Sequence, residues 1–383
     1  MDTNRLKAMG NTMTLDEIII REYRAGDEVQ INRLHNEQYG TSRGPEAWQW
    51  EFMNGPYGKS IFIVAEHKGE IIGTQALLPI ALSYGEQKIL SAKSEETLLR
   101  VEYRGQGILK RLYDACFKLA VKKGIALVWG FTYAERPLRK CGFEFPSRLN
   151  HLILILNPSK ANKMTGSRFT AQVRKRVGSY IVQKLLFRVF TLIGFLWYKG
   201  RNLKINASSR FKVALITVVD ARLDVFWEAF REKKDFYTID RNSAYLDWRI
   251  FKNPNLTYQI LAVIYNDKIQ GYIVIGRSKI VNLGYITDLC VLDEYSEEVS
   301  RLLVSHAIAC LHDQGVCYID AWCVGNSPQT KQYSSYLIKS GFLPVPRASY
   351  VVMKVLSGEG NLPVDPYLLN QWFITEIFSE GAG

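Results

Sequence analysis

The sequence predicts a mixed α/β protein with a hairpin-rich, partly antiparallel sheet, built as two tandem copies of one domain. Three observations carry this. First, E-A-W-Q-W-E-F-M-N-G-P from Glu46 resembles A-Y-L-D-W-R-I-F-K-N-P from Ala244, and Trp50/Trp248, Pro56/Pro254 and Gly73/Gly271 match at one offset of 198. Later matches keep the same order, K-K-G-I at Gly124 with D-Q-G-V at Gly315, and Gly142-Phe143 with Gly341-Phe342. An ordered series of this kind is the mark of duplication. Second, both copies continue as strand, polar turn and strand, I-F-I-V-A-E-H-K-G-E-I-I-G-T and Q-I-L-A-V-I-Y-N-D-K-I-Q-G-Y, a hairpin pattern. Third, in each copy the hairpin and a further apolar strand follow one another with no helix between, which excludes a doubly wound nucleotide fold.

The elements follow in order. An initial strand (17–22; 213–219) leads to helices that end near the tryptophan motif, then the hairpin and a further apolar strand. A long helix follows (108–123; 299–313), then a strand (126–131; 317–323), a helix and the Gly-Phe pair. The domains are placed at 16–156 and 211–357, with a basic helical connection at 157–210 and a C-terminal tail at 358–383.

A chain of 383 residues that is 47% hydrophobic can fill two cores, and 12% aromatic content excludes intrinsic disorder. Six cysteines without a C-x-x-C pair do not form a disulfide framework or a zinc cluster and point to a reducing cytoplasm. The N-terminus lacks the apolar core of a signal peptide. The five histidines have no metal-ligand spacing, so no metal site is expected.

The net charge of +12 is not spread evenly. Residues 145–219 hold fourteen basic side chains and no acidic one, so the remainder nets −2. That patterning argues against a nucleic acid as partner of the whole molecule. The same band holds the most apolar stretch, 180–198, whose uninterrupted run at 189–198 falls well short of the roughly twenty apolar residues of a spanning helix. Lys184 and Arg188 interrupt it. Two readings stand: a helix packed between the domains, or an interfacial helix that holds 160–204 against an anionic membrane surface, peripheral to the cytoplasm.

The segment with most chemistry is E-E-T-L-L-R-V-E-Y-R-G-Q-G-I-L-K-R-L-Y at 95–113. An apolar strand ends, an R-G-Q-G turn follows, and an amphipathic helix begins at once. A helix N-terminus presents unpaired N–H groups and the positive end of the dipole, and Gly105 and Gly107 allow close approach of a large anion. Arg104, Lys110 and Arg111 add charge.

The run V-E-Y-R-G-Q-G-I-L resembles the acyl-CoA-binding turn of the GNAT superfamily of N-acyltransferases, Q/R-x-x-G-x-G/A after a strand. Arg104 and Gly107 match its first and fourth positions, and Leu109 stands where glycine or alanine is usual. The strand A-L-V-W-G-F and the closing R-K-C-G-F also fall in the family's order. The resemblance implies that acetyl-CoA or another acyl-CoA is held by Arg104, Gly105, Gln106, Gly107, Ile108, Leu109 and Lys110, with pantetheine against the backbone of Leu98, Leu99 and Arg100. It implies direct attack of an amine on the thioester. The acceptor is then a small-molecule or glycan-precursor amine lying between the copies. Glu96, ahead of Glu95, is the expected general base, because strand alternation faces only one of them to the cofactor unless a bulge intervenes. Leu138 stands where relatives often carry a tyrosine acid, which leaves Tyr133 as the candidate. Cys116 and Cys141 read as packing residues.

In the second copy the turn becomes D-E-Y-S-E-E-V, and Asp293, Glu294, Glu297 and Glu298 would repel a pyrophosphate. That copy is expected to bind no CoA, and to be structural or one wall of the acceptor pocket. Two other functions share the pattern: a non-catalytic module that senses CoA or an acyl group, and a transferase that uses aminoacyl-tRNA on cell-wall precursors.

Overall fold

The computed structural model describes residues 17–164, 180–200, 210–232, 234–279, 281–356 and 362–379. Arg168, Arg174, Lys175, Arg176, Arg201 and Lys204 of the basic band lie outside these. The first half comprises β1 (Ile18–Glu22), α1 (Asp27–Tyr39), α2 (Pro45–Phe52), β2 (Ile61–His67), β3 (Glu70–Tyr84), β4 (Gln87–Leu99), α3 (Ile108–Lys122), β5 (Leu127–Thr132), α4 (Glu135–Lys140) and β6 (Glu144–Ile155). Two helices connect the halves, α5 (Pro158–Met164) and α6 (Tyr180–Gly200). The second half repeats the order with β7 (Lys212–Ile216), α7 (Ala221–Arg231), β8 (Tyr237–Ile239), α8 (Ser243–Leu246), β9 (Leu256–Tyr265), β10 (Lys268–Ser278), β11 (Leu283–Val291), α9 (Ser296–Asp313), β12 (Tyr318–Val324), α10 (Pro328–Lys339) and β13 (Leu343–Val355). A final short strand, β14, spans Ile374–Thr375.

Local chemistry explains the elements that frame the site. The turn between β2 and β3 places Lys68 and Gly69 at φ 51° and 81°, and that between β9 and β10 places Asn266 and Asp267 at 49° and 59°. Two consecutive positive φ values match the twist of a tight hairpin. Helix α3 buries Ile108, Leu112, Cys116 and Ala120, four residues apart, together with Tyr113 and Phe117. Helix α9 begins at Ser296, three residues before the expected start, because Glu297 and Glu298 favour a helix N-terminus.

The strands form one sheet in the order β1-β2-β3-β4-β5-β13-β6-β12-β11-β10-β9-β7. The order reads alike from both ends, and the last strand of each half sits in the middle, exchanged. Strand β13 pairs with β5 of the first half, while β6 pairs with β12 of the second. The two halves are therefore not two separable domains: the sheet is continuous, and one core cluster runs from Trp50 and Trp129 through to Trp322 and Phe373. At its centre Trp50 and Trp248 stack 5.0 Å apart at 18°, and each indole N–H donates to the other's carbonyl at 3.0 Å.

The C-terminal segment, expected as a tail, is part of this core. Trp372, Phe373, Ile374, Ile377 and Phe378 are fully buried. Helix α6 packs one face on the middle strands, with Gly194 against Ile155 and Leu343.

Candidate active site

The site is a fork in the sheet. Strands β4 and β5 run parallel and pair only from Ser91↔Leu127 to Lys93↔Trp129. Beyond that they part, and a cavity of about 800 Å³ opens between Ser94–Leu99 on one side and Gly130–Tyr133 on the other. Gly130 sits at the crotch, where a Cβ would lie 3.1 Å from the Ser94 carbonyl oxygen, so a side chain there would force the strands apart.

A bulge in β4 diverts the strand. Ala76 pairs with Glu95 and Thr74 with Leu98, which leaves Glu96 and Thr97 together opposite Gln75. Glu96 takes φ 54°, a conformation that costs a non-glycine residue roughly 1–2 kcal/mol. Side chains hold it there. Thr74 Oγ1 donates to the Glu96 carbonyl at 2.7 Å, and Gln75 Nε2 donates to Ser94 Oγ at 3.1 Å and the Glu95 carbonyl at 3.2 Å. The buried Tyr113 hydroxyl, from α3, lies 2.9 Å from Ser94 Oγ and 3.1 Å from Thr97 Oγ1. Because of the bulge, Glu95, Glu96 and Thr97 all line the cavity, so the strict alternation assumed for a flat strand does not apply.

At the other end, β4 stops at Leu99 and one short turn leads to Gly105 and Gly107, with φ 84° and 79°. Gly107 caps α3, and the first N–H groups of that helix have no intrahelical partner. Leu98, Leu99, Arg104, Gly105, Gly107, Ile108, Leu109 and Lys110 line the cavity. Arg100 and Gln106 do not; Arg100 stands 3.9 Å from Glu37 and 4.0 Å from Glu70, and Gln106 donates to the Glu102 carbonyl. Arg111 also turns away, donating to the Ile18 carbonyl at 2.9 Å. Arg136 and Lys140, from α4, line the cavity instead. Their sequence carries no motif, and only the fold brings them to the site.

The acidic end has its own order. Glu96 is nearly fully buried, and Arg43 grips its two oxygens at 2.9 and 2.5 Å while His35 Nδ1 lies 3.2 Å away. Arg43 Nε is fixed in turn by Asn32 Oδ1 at 2.7 Å. Burial alone would raise the Glu96 carboxyl, but the His35 and Arg43 hydrogen bonds and charges outweigh it and hold its pKa below the ordinary value. Glu95 is more open to the cavity and pairs with the buried Lys93. Tyr133 is 68% exposed on the rim, and Leu138 is buried in the wall. Cys141 also lines the wall, where burial first, with the Asp114 charge, pushes its thiol up to about 11. Cys116 is fully buried.

Comparison with known proteins places this geometry. Residues 19–145 match the family model described as an acetyltransferase (GNAT) domain. No curated protein sequence matches the chain significantly. A GCN5-related N-acetyltransferase from Anabaena variabilis is similar in structure at 13% identity and a TM-score of 0.57, over 89% of this chain and 73% of that one. The fold is that of a GNAT acetyltransferase. A probable N-acyltransferase from Enterococcus faecalis is similar at 9% identity and 0.57, over 88% and 73%. A tandem GNAT protein from the clavulanic acid biosynthesis pathway is similar at 12% identity and 0.56, over 90% of this chain and 100% of that one.

The GNAT fork has a counterpart in the second half, and it is filled. Strands β11 and β12 pair in parallel only from Leu283↔Tyr318 to Ile286↔Ala321. Past that point β14 pairs with β12 at Cys323 and Val324, in the gap where the first half has its cavity. Thr375 Oγ1 donates to Asp288 Oδ1 at 2.8 Å, and Thr330 Oγ1 to the Trp372 carbonyl at 3.0 Å. Asp288 is itself neutralised by the fully buried Arg241 at 2.7 Å. At the start of α9, Asp293 pairs with Lys234, Glu298 with Arg210 and Glu297 with Lys339.

Proposed function

We propose that the protein is an acyltransferase that moves an acyl group, acetyl in the simplest case, from acyl-CoA to an amine by direct attack. One observation carries this: a single cavity joins a glycine-capped helix N-terminus to a strand edge and then to a pair of carboxylates. The residues present fit acyl-CoA. Leu98 and Leu99 line the cavity where a pantetheine arm would run, with the Leu99 carbonyl accepting from Arg104 Nε at 3.1 Å, and Arg104, Lys110, Arg136 and Lys140 with the first turn of α3 suit its phosphates. The group supplies an activated thioester. Its binding is assigned to 16–156 alone, because the C-terminal segment fills the equivalent gap in 211–357.

Glu95, paired with Lys93 but more open to the cavity, is the better proton acceptor of the two carboxylates. A carboxylate held by a bidentate arginine and stabilised in its charged form is a weak base, so Glu96 with Arg43 and His35 acts as a fixed wall that orients the strand and the acceptor amine. Glu95 faces the cavity and takes the ammonium proton, directly or through water. Tyr133, at the rim, is the candidate acid for the leaving sulfur. A non-catalytic sensing module is the second reading, favoured by Leu138 in the wall where relatives often carry an acid.

Calorimetry with a series of acyl-CoA esters tests the proposal. Binding tighter than about millimolar is expected, and its absence for every ester overturns both readings. Thiol release in the presence of an amine panel separates them: Glu95→Gln is expected to keep binding and to slow transfer about 100-fold or more. Binding without turnover by the natural protein on the panel would favour the sensor.

A further inference from the structure

Helix α6 shows two unlike faces. Inward, Thr191 and Gly194 are buried, and a Cβ on Gly194 would stand 3.0 Å from Ile155 and 3.3 Å from Leu343. Outward, Leu185, Val189, Leu192, Ile193, Leu196 and Trp197 are each between 43% and 60% exposed. Their spacing of three and four residues makes one continuous stripe along the helix. A row of this size on one helix is not the scatter of single apolar residues that every surface carries. Arg188 and Lys199 are exposed beside it. In sequence they belong to the 145–219 band, with fourteen cations and no anion.

The charge decides what covers the stripe. A second copy of this chain would bring two bands of the same sign together. The flanking segments 165–179 and 201–209 are themselves basic and lack acidic residues, so they bring no opposite charge. No described helix is long and apolar enough to cross a bilayer. A surface that is negative outside and apolar just beneath matches both properties.

We propose that α6 lies in the headgroup region of an anionic membrane, its apolar stripe buried among the acyl chains and Arg188 and Lys199 toward the lipid phosphates. None of the described α6 side chains lines the cavity. Strand β13 starts beneath α6 at Leu343 and reaches Tyr350, paired with Thr132 on the cavity rim, roughly 20 Å away at ~3.3 Å per residue. Docking therefore leaves the cavity open near the membrane, and the surface is separable from acyl-CoA binding.

Flotation of the full chain with vesicles tests this, with phosphatidylcholine alone set against phosphatidylcholine mixed with phosphatidylglycerol. Binding to the anionic vesicles alone, weakened by salt, is expected. The double variant Leu192→Asp/Leu196→Asp should lower the bound fraction at least about tenfold, and Arg188→Glu/Lys199→Glu should do the same. Both variants touch exposed positions and should melt like the natural protein. Equal binding to neutral and anionic vesicles, or none to either, overturns the proposal. So does a dimer in light scattering that Leu192→Asp/Leu196→Asp dissociates while flotation is unchanged.

Discussion

Glu96 concentrates the electrostatics of the site in one side chain. It is buried, held at φ 54° and gripped by Arg43, so its charge is stabilised by partners that lie 53 and 61 residues away in sequence. A carboxyl whose folded pKa lies below its unfolded value adds stability above the unfolded pKa, near 4.5, and that contribution is lost as pH falls through the folded pKa. Glu96→Gln is therefore expected to lower the melting temperature at neutral pH and to flatten its decline in acid; parallel pH curves for the two proteins would refute this. Arg43→Ala leaves the buried carboxylate with His35 but without its bidentate cation and should cost about 3 kcal/mol in denaturant unfolding. The sequence placed both glutamates on a strand end and ranked Glu96 first by strand alternation, an order the proposed mechanism reverses. The reversal depended on a bulge and an arginine in a loop that shares no motif with them.

The start of α3 was the most legible element, because a glycine turn between a strand and an amphipathic helix leaves N–H groups that no strand or helix satisfies. Its consequence is testable against an internal control. Gly107 and Gly124 flank the same helix at φ 79° and 74°, and a Cβ at either meets nothing within 4 Å. Replacement by alanine should cost each roughly 1–2 kcal/mol of stability. Only Gly107→Ala should weaken acyl-CoA binding in calorimetry. Equal affinity in the two variants would place the phosphates elsewhere. Arg136 and Lys140 escaped the sequence reading because α4 is short and polar and nothing in it marks a ligand; they reach the cavity because α4 follows β5, which lines it.

Strand exchange governs the whole molecule. Strand β5 borrows its outer neighbour from residues 343–355, and β6 lies between β12 and β13, both from the other half. A fragment of residues 17–156 would expose one edge of β5 and both edges of β6, a template for aggregation. It is expected to be insoluble or to lack dispersed amide resonances, and the full chain to unfold in one calorimetric transition. A soluble, well-dispersed fragment would contradict that. The buried C-terminal segment belongs to the same unit: Trp372→Ala should cost about 3–5 kcal/mol, as a core substitution and not a change in a tail.

The sequence alone determined the element order, the hairpin turns, the matching motifs at an offset of 198 and the glycine-capped helix start. All of these depend on local conformational preference and on periodicity, which a chain carries wherever it goes. Only the tertiary structure decided that the final strands cross between halves, that the bulge turns Glu95 and Glu96 into one cavity, and that residues 369–378 fill the second fork. Those choices depend on which edge each strand finds and which gap a distant segment fills, and nothing local to β6, Glu96 or Trp372 encodes them.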